Sequence, residues 1–151
     1  PAAIHWLNQA VADGYSKAMV ALGELAEKEE GGLTVHYAIE LYERAIREAR
    51  DHHAMQRLAL IYKEGRKDIA PNPEKEVYYL RQIHRLGSYE NREFLYRLGC
   101  LLEVQSSGND DNLQEAFRCF QKFHRAFSDT VNCADLELKL GKMCEEGRGT
   151  Q

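Results

Sequence analysis

The strongest constraint on this chain is that it resembles itself at a fixed interval. Four octets, "AIHWLNQA" at 3–10, "AIELYERA" at 38–45, "EVYYLRQI" at 76–83 and "AFRCFQKF" at 116–123, start 35, 38 and 40 residues apart. A second set, "LGELAEKE" at 22–29, "LALIYKEG" at 58–65, "LGCLLEVQ" at 98–105 and "LGKMCEEG" at 140–147, keeps intervals of 36, 40 and 42. Two independent columns with the same slowly growing period define a repeat present four times. A unit of about 40 residues is one supersecondary element that cannot bury its apolar face alone, so its copies have to stack.

Within each unit the apolar residues fall at three-and-four spacing, as in Ile4, Leu7 and Val11 or Ile39, Tyr42, Ala45, Ile46 and Ala49. That spacing lines one face of a helix. Breakers such as "EEGGLT", "KEGRKDIAPNP" and "QSSGNDDN" interrupt it regularly. The expected elements are about eight antiparallel helices over 2–13, 16–29, 35–50, 52–64, 74–86, 91–104, 113–127 and 131–146, giving an all-α fold. Asn72 with Pro73 suits a helix start, and Asp111 or Asn112 could cap the seventh helix.

Side-chain size repeats as well. Gly23, Gly99 and Gly141 lie inside expected helices, with Ala59 at the fourth equivalent place. A helix tolerates the ~1 kcal/mol cost of such a glycine where a neighbouring helix approaches its backbone closely. Gly14, Ala49 and Gly87 form a small-residue column at the turn inside each pair. Phe127 breaks that column, so a wider fourth turn is expected. Leu7, Tyr42, Leu80 and Phe120 form the complementary large column. Small against large at fixed spacing implies helices interlocked within and between repeats.

These columns resemble the Sel-1-like repeat, a relative of the tetratricopeptide repeat. The first unit matches its pattern at Ala3, Trp6, Leu7, Ala10, Gly14, Ala18, Leu22 and Gly23, and the second at Ala38, Tyr42, Arg44, Ala45, Ala54, Leu58, Tyr62 and Gly65. The fourth matches at Ala116, Phe120, Lys122, Leu140, Gly141, Gly147 and Gly149. In the third, Tyr79, Leu80, Gly87, Leu98 and Gly99 fit, while "EVQSSGNDDN" replaces the glycine-bounded closing loop and marks a local irregularity or contact loop. The resemblance implies a right-handed α-solenoid of four helix-turn-helix repeats, about 2–34, 35–73, 74–112 and 113–151, forming a single array. The first helix of each pair would line a concave face. Both ends look unfinished, which suggests a piece of a longer protein.

Several chemistries are disfavoured. The net charge of −4 supplies no field to attract nucleic acid, and no run of about 18 apolar residues is present to insert directly into a membrane. The triplets Glu64-Gly65-Arg66 and Glu146-Gly147-Arg148, 82 residues apart, lack the spacing of a phosphate-binding loop. Gly65 and Gly147 instead follow the last apolar turn of a helix, where a left-handed residue closes it cheaply. None of the six histidines has the helical spacing of a metal pair, and the cysteines match no zinc pattern. His84 and His124 share a repeat position and could stack between helices. Cys119 and Cys144 sit on the two helices of the fourth repeat and could face each other, although free buried thiols fit better. No nucleophile–base pair, metal set or cofactor motif is visible, so no enzyme activity and no cofactor is expected.

What remains is a stripe on the first helices. At fixed offsets from each octet stand His5, Asn8 and Ala12, then Glu40, Glu43 and Arg47, then Tyr78, Arg81 and Arg85, then Arg118, Gln121 and Arg125. In this repeat class that face borders the groove. One reading is a solvated face that avoids the core. The sharper one is a groove for a protein or peptide segment with acidic side chains or a free C-terminus, which arginine's fork recognises well. Its lining would be Glu43, Arg47, Tyr78, Arg81, Arg85, Arg118, Gln121 and Arg125. The expected role is a non-enzymatic scaffold or adaptor, with a regulatory or assembly domain of a larger enzyme or envelope or membrane complex as the alternative.

Overall fold

A computed structural model describes residues 2–87, 92–107, 110–129 and 133–150. Among them are eight α-helices: α1 (Ala2–Ala12), α2 (Ser16–Glu27), α3 (Val35–Ala49), α4 (His52–Glu64), α5 (Pro73–Arg85), α6 (Arg92–Val104), α7 (Asp110–Phe127) and α8 (Ala134–Glu145). A single 3-10 turn over Glu30–Gly32 joins the first pair to the second.

Local chemistry sets the helix starts. Thr34 Oγ1 accepts from the Tyr37 N–H, Asp51 Oδ1 from the Ala54 N–H and Asn72 Oδ1 from the Lys75 N–H. Each supplies one of the acceptors that the first helical turn lacks. Pro73 is the first residue of α5, as expected. The seventh helix differs from expectation. It begins at Asp110, so Asp111 and Asn112 belong to its first turn and neither is the cap. There Asp110 and Asp111 place negative charge at the positive end of the helix dipole.

The chain falls into two compact units, Pro1–Ile83 and His84–Gln151. In the first unit, α1 packs on α2, α2 on α3, and α3 on α4, with the larger interface between α2 and α3. Its core holds Met19 and Leu22 of α2, Tyr42 of α3, Leu58 and Ile61 of α4 and Leu80 of α5. In the second, α6 packs on α7 and α7 on α8, around Leu98, Leu102, Phe120 and Met143.

The small-against-large expectation has a direct counterpart in the packing. A methyl group on Gly23 would lie 2.5 Å from the Tyr42 ring, and one on Gly99 would lie 2.6 Å from the Phe120 ring. Those rings come from the first helix of the following pair, so the same knob enters the same notch in both units. Ala59 is buried at the equivalent place in α4. Gly141 is a correction. It is exposed, and nothing would meet an added methyl within 4 Å, because none of the described helices packs over that part of α8.

Gly14 and Gly87 both take positive φ at the ends of first helices. At the Ala49 turn the left-handed residue is the next one, Arg50. The expected wider turn after Phe127 falls largely on residues 130–132, outside the described residues. The irregular loop after α6 is described up to Ser107, and Gly108 and Asn109 lie outside. In its described part the Ser106 hydroxyl donates to the Glu103 carbonyl at 2.6 Å.

Candidate functional site

The first-helix stripe is on the surface. Glu43, Arg47 and Tyr78 are exposed in the first unit, and Arg81 is half-buried there. Arg85, Arg118, Gln121 and Arg125 are all exposed in the second. The opposite faces of the same helices carry the core: Ala38, Tyr42 and Ala45 on α3, and Ala116, Phe120 and Phe123 on α7. The eight expected groove residues are thus divided between the two units, four in each.

In the second unit the stripe has a cationic character. Arg118, Gln121, Lys122 and Arg125 run along one flank of α7 at helical spacing. Lys122 Nζ lies 3.2 Å from His84 Nε2, which brings His84 to that flank. Burial and then the Lys122 ammonium push the His84 pKa below the ordinary imidazole value, against a smaller opposite pull from Glu115. His84 therefore favours its neutral form, whose Nε2 can accept a hydrogen bond from the lysine ammonium. His124, at the equivalent repeat position, pairs instead with Glu137 Oε1 of α8 at 2.7 Å. The two histidines thus engage different partners rather than each other.

The first unit carries a cleft of about 460 Å³ between α3, α5 and the loop that joins α4 to α5. Its wall includes Glu40 and Glu43 of α3, Asp68 and Ile69 of the loop, Tyr62 of α4 and Lys75 of α5. Tyr79 stacks parallel to Tyr62 at 5.9 Å, and its hydroxyl donates to Glu43 Oε1 at 3.5 Å. Burial first, then the Glu43 charge, raise the Tyr79 pKa far above the usual phenol value, so the hydroxyl keeps its proton. The stripe thus changes sign along the chain, acidic on α3 and basic on α7.

The cysteines are all free; Cys119 and Cys133 are buried and Cys144 is exposed. Of the two thiols of the fourth repeat expected to be free and buried, Cys119 is interior, whereas Cys144 faces solvent. No group of three or more metal-ligating side chains occurs among the described residues. None of the described helices is long and apolar enough to cross a membrane.

No protein-family model and no curated protein sequence matches the chain. Solved structures do. A protective antigen present in uropathogenic Escherichia coli strains, displaying an SLR fold, matches 98% of the chain at TM-score 0.66 and 19% identity. A Sel1 repeat protein from Oxalobacter formigenes matches 98% of it at TM-score 0.65 and 17% identity. This chain has the Sel1-like repeat fold. It spans 30% of the first of those chains and 57% of the second.

Within this Sel1-like fold the two Glu-Gly-Arg turns have a task that their glycines alone do not disclose. Gly65 and Gly147 do take positive φ, 74° and 66°, where the helix ends. The arginine beside each glycine then reaches back to the preceding helix pair. In the first unit Arg66 donates to Glu64 Oε2 at 3.0 Å and to Glu27 Oε2 at 3.2 Å. Glu27 also accepts from Arg57 at 2.8 Å and from the Tyr42 hydroxyl at 2.6 Å. In the second unit Arg148 donates to Glu146 Oε2 at 3.0 Å and to Glu103 Oε1 at 3.5 Å, and Lys139 reaches Glu103 Oε2 at 2.5 Å.

Glu27 and Glu103, Arg57 and Lys139, and Arg66 and Arg148 are equivalent repeat positions. The same charged clamp is therefore built twice. Burial opposes the charge on Arg57 and Lys139, but the hydrogen bond and charge of their glutamates outweigh it and raise both pKa values. Burial, and then Glu27, raise the Tyr42 pKa well beyond the usual phenol range, so its hydroxyl remains a donor. The two clamps differ in one partner, since Phe120 stands where Tyr42 does and Lys139 Nζ lies 4.7 Å from its ring centroid instead. At the middle junction the sequence holds Lys63, Arg97 and Ser106 at the three clamp positions, so the acid and the loop arginine are both replaced.

Proposed function

We propose that the chain is a non-catalytic protein-interaction module whose first helices present the binding face. The observation that supports this most is the division of labour between helix faces. The knob-in-notch contacts join α2 to α3 and α6 to α7, and the charged clamps join α2 to α4 and α6 to α8, so that successive pairs are held together. They leave Glu40, Glu43, Arg47, Tyr78, Arg118, Gln121 and Arg125 exposed on the flanks of α3, α5 and α7. Tyr78 is 57% exposed, although Tyr is a residue type enriched in interfaces.

In the second unit, Arg85, Arg118 and Arg125 suit carboxylates of a partner, whether acidic side chains or a free C-terminus. Planar guanidinium groups bind carboxylates in two-pronged geometry, and exposed cations steer an acidic segment toward the face. The test is to identify the partner by affinity capture and then measure its dissociation constant. Arg85→Glu combined with Arg125→Glu should abolish binding with the melting temperature unchanged. Glu24→Lys combined with Lys142→Glu, on second helices, should leave binding intact. Undiminished binding by the arginine variant would refute the assignment of the face.

A further inference from the structure

The cleft of the first unit carries the opposite charge from the arginine flank. We propose that it receives a lysine or arginine side chain from a protein partner. This rests on the interaction function above but concerns the acidic residues of the first unit rather than the arginines of the second. Three carboxylates, Glu40, Glu43 and Asp68, stand on its wall. Against them are the imidazole of His36 and one ammonium, Lys75. That ammonium is occupied by an aromatic group. Its Nζ donates to the Tyr62 hydroxyl at 3.3 Å and lies 4.8 Å from the centroid of that ring. Glu43 is hydrogen-bonded to Tyr79, whereas Glu40 and Asp68 have no hydrogen bond or ion pair among the described residues.

The rest of the lining fits the stem of the same side chain. Ile39 and Ile69 are half-buried, and the buried Tyr62 ring lies between α4 and α5. A long basic side chain lays its methylenes on apolar surface and keeps its charged head among polar groups. At about 460 Å³ the cleft lies within the ~300–1,000 Å³ range of ligand sites and accommodates such a side chain with adjoining backbone.

The loop wall is built before any partner arrives. Arg66 and Ile69 exchange two backbone hydrogen bonds at 2.8 and 3.0 Å, and the Asn72 N–H donates to the Tyr62 carbonyl at 2.8 Å. The Arg66 side chain ties the loop to Glu27. A methyl group on Gly65 would meet the Ile69 carbonyl oxygen and Pro71 at 2.9 Å, which leaves the loop one way to fold back. Preorganisation of this kind lowers the ordering cost of binding.

The experiment is an amide chemical-shift titration of the isotope-labelled chain with short, terminally blocked peptides. Each has one central residue, lysine, arginine, norleucine or glutamate, between apolar neighbours, and n-butylamine is titrated in parallel. The lysine and arginine peptides should shift the amides of Glu40, Glu43 and Ile69, with norleucine weaker and glutamate inactive. Glu40→Gln combined with Asp68→Asn should weaken the lysine peptide by about tenfold, the effect of removing two exposed charges. Arg85→Glu combined with Arg125→Glu should leave the titration unchanged, which separates failure here from failure of the arginine face. Equal binding of the glutamate peptide, shifts confined elsewhere, no shifts at all, or full affinity from n-butylamine alone would each overturn the proposal.

Discussion

The same substitution, Gly→Ala, made at three equivalent positions should give opposite results. Removing a glycine from a helix interior favours the helix by about 1 kcal/mol, whichever helix it is. At Gly141 nothing stands within 4 Å of the new methyl group, so that gain should be realised in full. At Gly23 the methyl group would lie 2.5 Å from Cε1 and 2.8 Å from Cζ of Tyr42. That ring cannot slide aside easily, because it is wholly buried and its hydroxyl is tied to Glu27 at 2.6 Å. Overpacking of a tight core costs about 1–3 kcal/mol. With a tethered ring the upper end applies, which leaves Gly23→Ala about 2 kcal/mol less stable than the parent after the helix gain. Gly99→Ala meets Phe120 at 2.6 Å, but that ring has no hydroxyl tether and can yield further. The expected order of stability is Gly141→Ala, parent, Gly99→Ala, Gly23→Ala, read from urea denaturation followed by far-ultraviolet circular dichroism. Equal stabilisation by all three would refute the interlocking of small and large columns.

Glu27→Gln should cost about 3 kcal/mol, because its side chain is 5% exposed and its loss leaves the Arg57 guanidinium without a carboxylate and Arg66 with only the exposed Glu64. Glu103→Gln should cost only about 1 kcal/mol, since that carboxylate is 20% exposed against 5% for Glu27; urea denaturation of both variants compares them. Asn72→Ala removes the cap on α5 and should lower stability by about 1 kcal/mol in the same assay. For His84 the folded pKa lies below the unfolded one, so its contribution to stability is present above the unfolded pKa and is lost as the pH falls through the folded value. The melting temperature should therefore fall less between about pH 7 and about pH 5 in His84→Gln than in the parent. An identical fall in both would remove His84 from the explanation.

Periodicity made the helices and their order legible, because each buries one face and the same spacing recurs in every pair. Gly23 and Gly99 were readable because a glycine inside a helix is costly unless something lies against it. Gly141 misled for the same reason, since equivalence in sequence does not supply the helix that would fill the notch. The Glu-Gly-Arg turns were read through their glycines, while the arginines carry the longer-range interaction. The signal was present in the equivalence of Glu27 with Glu103 and of Arg57 with Lys139. It becomes an ion pair only once α2 lies beside α4, and α6 beside α8. The cleft was hidden more deeply. It depends on how residues 66–71 fold back on Gly65, and no periodic pattern covers that loop. The stripe residues lie on the surface, with Arg81 half-buried, and the change of sign was already in the sequence, Glu40 and Glu43 on α3 against Arg118 and Arg125 on α7.

Side-chain footprinting of the chain free and with its captured partner tests most directly whether first helices bind and second helices hold the repeats together. Tyr78 on α5 and Leu138 on α8 start almost equally exposed, at 57% and 60%. Protection of Tyr78 with Leu138 still reactive is the expected result. Protection of Leu138 with Tyr78 unchanged would contradict it.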